Sequence, residues 1–105
     1  MANIIQEKSY HFSLRIISLY RRLYKQREFV ISRQLLRCGT SIGANVEEAL
    51  GSYSRKDFHF KMVIAFKEAR ETHYWLRLIR DAGLSGEELL RILKAITRRT
   101  RPLRS

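Results

Sequence analysis

Three histidines, one cysteine and a scatter of carboxylates are the side chains of this 105-residue sequence with the capacity for metal or nucleophilic chemistry. A carboxylate-bridged metal pair between helices needs inward Glu on two helices and a Glu-x-x-His spacing on two more. That spacing is missing. His73 follows Glu71 by two residues, and neither His11 nor His59 has a Glu three positions before it. No glycine-rich phosphate cradle, nucleophile elbow or metalloprotease spacing occurs either. Cys38 falls among apolar residues at helical spacing, as an inert small hydrophobe would. Glu47, Glu48, Glu68 and Glu71 stand without a nucleophile, so salt bridging is their expected role. No catalytic residue, metal ligand or cofactor is predicted, and an enzyme is not expected.

Bases, by contrast, repeat with order. Arg91, Lys94, Arg98 and Arg101 follow one another at steps of three, four and three with no acid among them, which lines them along one helical face. Arg33 and Arg37 stand four apart in the same manner. These six are the predicted phosphate contacts. Twenty-one Lys and Arg against ten Asp and Glu leave a net charge of +11, a field that attracts polyanions such as RNA or DNA. The excess is uneven: residues 8–37 hold eight bases and one acid, residues 91–105 six bases and no acid, and residues 38–90 seven bases and eight acids.

The elements that must carry these residues are helices. One proline, Pro102, lies near the C-terminus, and strand-like alternation is absent. Four helices are predicted, at about 4–26, 28–50, 54–82 and 86–101, with a basic tail over 101–105. Ile5, Phe12, Ile16, Leu19 and Leu23 give the first an apolar face, and Ile31, Leu35, Cys38, Ile42, Val46 and Ala49 give one to the second. Ser54 is the expected cap of the third, whose core face is Phe58, Met62, Ala65, Ala69 and Leu76. Gly83-Leu84 should end it in a Schellman turn. Ser85-Gly86-Glu87-Glu88 reads as the opening of the fourth, with Leu89, Ile92, Leu93 and Ile96 inward. Short connections make successive helices antiparallel, so the expected fold is an all-α, up-down-up-down four-helix bundle with the first and third helices diagonal. Gly39 and Gly43 cost about 1 kcal/mol each in a helix interior, so close approach of a neighbouring helix should offset them. Gln34, Ser41, Asn45 and Glu48 form a polar line expected to hydrogen-bond at a helix boundary.

Two helices carry a second apolar face. On the first it is Tyr10, Leu14, Ile17 and Tyr24; on the third, Phe60, Ile64, Trp75, Leu78 and Ala82. A helix apolar on two sides needs cover on two sides. With the two helices diagonal, the outer faces should lie on opposite sides of the protomer, which favours a head-to-tail contact closing into a ring of identical copies. Lys67, Glu68 and Glu71 interrupt the outer face of the third helix and are expected to pair with Arg21 of a neighbour.

Length fits a single domain over residues 1–105, and 45% apolar with 30% charged residues suits a packed globule. The longest apolar run, Met62 to Phe66, is far short of the roughly 20 residues of a membrane span, so no membrane partner is expected. The N-terminus lacks the features of a secretory signal, and a single cysteine allows no internal disulfide; a cytoplasmic setting is the expectation.

The run from Arg33 to Ala49, with Ser41-Ile42-Gly43-Ala44-Asn45 inside it, and the segment Lys67-Glu68-Ala69-Arg70-Glu71-Thr72 carry a family likeness. Over about residues 5–96 the sequence resembles the bacterial proteins encoded in intervening sequences of 23S ribosomal RNA genes. It is similar also to the accessory proteins of diversity-generating retroelements. The resemblance implies a four-helix bundle assembling as a ring-shaped homopentamer, without known catalysis. From the second group it also implies binding of nucleic acid and docking of a partner protein such as a reverse transcriptase. The leading expectation is a non-enzymatic ring binding RNA or DNA through its phosphates; the alternative is a scaffold that docks a nucleic-acid enzyme.

Overall fold

Asn3 accepts the backbone N–H of Gln6 at 3.0 Å and opens α1 (Ile4–Lys25). Ser54 accepts that of Asp57, also at 3.0 Å, and opens α3 (Arg55–Asp81), the start its spacing predicts. α2 (Val30–Leu50) begins differently, because Phe29 at its cap position has no side chain that can accept. The Glu28 carboxylate takes over, accepting the N–H groups of Val30, Ile31 and Ser32 at 3.2, 3.0 and 2.7 Å. Three orphan amides are thereby satisfied by one acid, which also complements the positive end of the helix dipole. Glu28→Ala is expected to lower stability in urea unfolding by about 2 kcal/mol, and Glu28→Gln, which keeps an acceptor but not the charge, by about 1 kcal/mol.

α1 and α3 end alike. The N–H of Glu28 bonds the carbonyl of Leu23 and that of Arg27 the carbonyl of Tyr24, both at 3.0 Å; Leu84 and Gly83 repeat the pattern on Ile79 and Arg80 at 3.1 Å. The left-handed residue closing α3 is Gly83 (φ 79°), with Leu84 packed on the core as the Schellman expectation has it. At the end of α1 it is Arg27 (φ 65°), a position where a Cβ is disfavoured.

This computed structural model describes residues 3–84. Among them the chain is all helix, and the helices number three, not four. The expected four-helix bundle is therefore corrected to an antiparallel three-helix array; the predicted helix at 86–101 and the tail at 101–105 lie outside the described residues. α2 is central: α1 and α3 each pack along it, and their own backbones stay apart. Direction follows from the partners. Gln6 meets Glu47 while Ile16 meets Gly39, and Arg37 meets Glu71 while Glu48 meets Lys61, so numbers rise in one helix as they fall in the next.

Ile16, Leu19 and Leu23 of α1, Leu35 of α2 and Ala69, Leu76 and Ile79 of α3 form the buried cluster, with Phe12, Ile31 and Ile42 packed against it. Two predicted core residues are displaced. Ile5 and Phe58, near the ends of their helices, are 47% and 40% exposed. Ile79 and Thr72 join the core instead, both fully buried. The predicted close approach at the two glycines is present. A Cβ on Gly39 would stand 2.8 Å from both Cγ atoms of Ile16, and one on Gly43 would stand 3.2 Å from the Ser9 carbonyl oxygen and 3.3 Å from Ser13 Oγ.

Candidate nucleic-acid interface

Of the six predicted phosphate contacts, Arg91, Lys94, Arg98 and Arg101 lie outside the described residues. Arg33 is exposed on α2. Arg37 is exposed on α2 as well, and its guanidinium also bonds within the fold. Its Nη2 pairs with Oε2 of Glu71 and its Nη1 lies 3.6 Å from Oε1 of Glu68, both carboxylates on α3. Gln34 Oε1 accepts a further N–H from it at 3.2 Å. Burial works against the Arg37 charge, but the bond and charge of Glu71, with Glu68 behind it, outweigh that and hold the guanidinium above its ordinary value. Trp75 completes the group, its indole N–H donating to Glu71 Oε2 at 3.0 Å. Glu68 and Glu71, expected to pair with Arg21 of another copy, both meet Arg37 within the chain. Arg37, Glu68, Glu71 and Trp75 are one polar clasp across α2 and α3, which sequence reading divided between a phosphate site and an outer apolar face.

The carboxylates are engaged by partners within the chain. Glu28 caps α2, Glu47 accepts from Gln6 Nε2 at 3.0 Å, Glu48 pairs with Lys61 at 2.6 Å, and Asp81 pairs with Arg80 at 2.8 Å. Glu7 and Asp57 sit in the first turns of α1 and α3, where the helix dipole favours them. With Glu68 and Glu71 on Arg37, the salt-bridging role expected of these carboxylates is present for Glu48, Glu68 and Glu71, whereas Glu47 accepts from a neutral amide. The polar line of α2 is satisfied mostly within its own helix: Ser41 Oγ donates to the Arg37 carbonyl at 2.7 Å and Asn45 Nδ2 to that of Ser41 at 2.8 Å, while Glu48 reaches α3.

Cys38 is fully buried, and burial pushes its thiol up. Burial, then Arg77 and Arg80, hold His73 below the ordinary imidazole value. Among the described residues no group of three or more His, Cys, Asp or Glu could hold a metal ion, and no helix is long and apolar enough to cross a membrane.

The two outer apolar faces are present but not placed as expected. Tyr10, Leu14, Ile17 and Tyr24 are all exposed on α1, as are Phe60 and Leu78 on α3; Ile64 is half-buried, and Trp75 packs partly on the core. Both faces border α2 rather than lie on opposite sides. Gln6, on the same line of α1 as Tyr10, Ile17 and Tyr24, bonds Glu47 of α2, and Tyr24 stacks on Phe29 at 4.9 Å, while Glu71 beside Trp75 bonds Arg37. The outward surface of α2, with Arg33, Thr40 and Ala44, runs between them.

Comparison with known proteins gives a consistent lineage. No curated protein matches the chain. Among solved structures, a protein of unknown function from the S23 ribosomal protein family of Bacteroides thetaiotaomicron is 44% identical, with 94% of this chain and 90% of that chain covered and a TM-score of 0.88. The profile of the 23S rRNA-intervening sequence proteins matches residues 1–103. Three helices clasped by the Arg37 pairs, drawn close at Gly39 and Gly43, are thus the work of a sequence that belongs to the 23S rRNA-intervening sequence protein family.

Proposed function

We propose that this chain is a non-enzymatic, basic helical protein that assembles with copies of itself and binds RNA or DNA through the phosphate backbone, without sequence specificity. One observation carries the reading. The acids of the described residues are engaged in helix caps, first turns and side-chain pairs, and the Lys and Arg that outnumber them lie almost all on the surface. A surface charged beyond what solubility requires attracts a polyanion. The exposed α1 and α3 faces support self-association, with five copies as the number the family likeness implies. Repeating a modest phosphate site around such an assembly multiplies it into avidity for a long strand.

Binding to unrelated RNA and DNA sequences should be equal and should weaken steeply with salt, with a log–log slope of about −3 or steeper, as several phosphate contacts require. Replacing Arg91, Lys94, Arg98 and Arg101 together with Gln should weaken binding to all sequences alike. Fluorescence anisotropy across a salt series measures both. Unchanged affinity in that variant would remove those four residues from the site. A flat salt response would remove the phosphate mechanism.

A further inference from the structure

α1 and α3 run toward the connection at 26–29 and α2 runs away from it, and Leu23, Ile31 and Ile79 share the core at that pole. Charge is divided along this axis. Residues 21–33 hold five bases and one acid and residues 77–84 two bases and one acid, whereas the opposite pole, residues 3–13 and 47–61, holds four bases and four acids. Both acids of the basic pole are engaged, Glu28 by three amides and Asp81 by Arg80.

Helix physics explains only some of these bases. Arg22 and Lys25 in the last turn of α1 and Arg80 in the last turn of α3 complement negative dipole ends. Arg33 stands within the first turn of α2, where the potential is positive and a cation is unfavourable, while Arg27 stands just past the end of α1. Arg27 also occupies a left-handed backbone position that glycine takes more easily. Two bases retained where the fold disfavours them point to a use outside it. Beside them the rings of Tyr24 and Phe29 meet edge to face at 4.9 Å, both partly exposed, and Arg33 follows Phe29 by one helical turn on the same face. Cations next to an open aromatic ring suit an unpaired strand, whose bases are free to stack, better than a duplex, whose bases already do.

We propose that this pole binds a single-stranded polynucleotide, its phosphates on Arg22, Lys25, Arg27 and Arg33 and a base on Phe29. The proposal rests on the nucleic-acid reading above and narrows it to one surface and one strand state. Fluorescence anisotropy of the full chain with labelled oligouridine, oligothymidine, a mixed-sequence DNA duplex and polyglutamate tests it. Both single strands should bind about tenfold tighter than the duplex, and the ratio between them assigns the sugar. Arg27→Gly combined with Arg33→Gln should weaken single-strand binding about tenfold and lower the salt slope by about 1. Arg27→Gly alone should raise the melting temperature, which separates lost binding from lost structure. Phe29→Leu should weaken single-strand binding about tenfold and leave the duplex unaffected. Arg55→Gln with Lys56→Gln at the opposite pole should change nothing. If the pole variants bind oligouridine as the unchanged protein does, the pole is not the site, although the nucleic-acid reading survives. If no polynucleotide binds, both fall. Polyglutamate binding as tight as oligouridine would give the pole to acidic proteins instead.

Discussion

Replacing Gly39 with leucine is expected to unseat α1 from α2 and lower stability by about 3 kcal/mol or more, close to the upper range for overpacking. The reason is the atom a side chain would meet. A Cβ at residue 39 falls 2.8 Å from both Cγ1 and Cγ2 of Ile16, and because both are attached to one Cβ, no rotation of that side chain clears them together. Ile16 is itself fully buried, so it has nowhere to retreat. Alanine at 39 should cost less, about 1 kcal/mol net, since the gain in helix propensity of about 1 kcal/mol offsets part of the contact. At residue 43 the tightest neighbour is the Ser9 carbonyl at 3.2 Å, a few tenths of an ångström from ordinary contact, so Gly43→Ala should be nearly neutral. Urea unfolding followed by helix dichroism ranks the three. Adding Ile16→Ala to Gly39→Ala should recover part of the loss, a coupling of about 1 kcal/mol that only direct contact produces. Equal stabilities at 39 and 43, or strict additivity with Ile16, would mean that the helices approach elsewhere.

Those glycines were legible because a costly residue in a helix interior calls for a packing reason. Most of the helical layout was legible on the same footing: Ser54 and Gly83 announced the start and the end of α3, and the period of Leu35, Cys38, Ile42, Val46 and Ala49 announced the inner face of α2. Ile79 was missed through Thr72. Ala65, Ala69, Thr72, Leu76 and Ile79 form one continuous row, but a polar residue in its middle breaks an apolar count, although the Thr72 hydroxyl is satisfied by the Glu68 carbonyl at 2.7 Å and is buried at little expense. Glu28 was missed because its carboxylate caps from two residues ahead of α2, beyond the cap position where Ser, Thr, Asp and Asn are sought.

The site was harder to read than the fold, since pairing across helices leaves no periodic trace. Arg33 and Arg37 look equivalent four residues apart, yet only Arg37 faces α3 closely enough to be taken by Glu68 and Glu71. Glu71 and Trp75 look like neighbours on an outer stripe, yet Glu71 pairs with Arg37 of α2 and Trp75 packs partly on the core. The described residues form three helices, and the capping pattern and apolar period that predict a fourth fall at 85–96, outside them.

Ile17→Lys and Phe60→Asp, each alone, are expected to reduce the proposed assembly to monomers. Both side chains are exposed in the single chain, 38% and 58%, so the fold does not depend on them and the dichroism of each variant should be unchanged. In an assembly that covers them, each apolar side chain contributes about 1.5–3 kcal/mol, and an unpaired charge in its place adds a desolvation cost of similar size. A loss of about 4 kcal/mol weakens each contact roughly a thousandfold. The double variant distinguishes the kind of contact. If the α1 face of one copy meets the α3 face of the next, every contact in Ile17→Lys/Phe60→Asp brings a lysine face to an aspartate face, and assembly should return in part and weaken with salt. If α1 met α1 and α3 met α3, the same chain would set lysine against lysine and remain monomeric. Because both faces border α2, the head-to-tail arrangement places α2 of every copy on the same rim, and Arg33 with it. Light scattering at micromolar concentration reads each case, and assembly unaffected by either single change would show that these faces are not the contact.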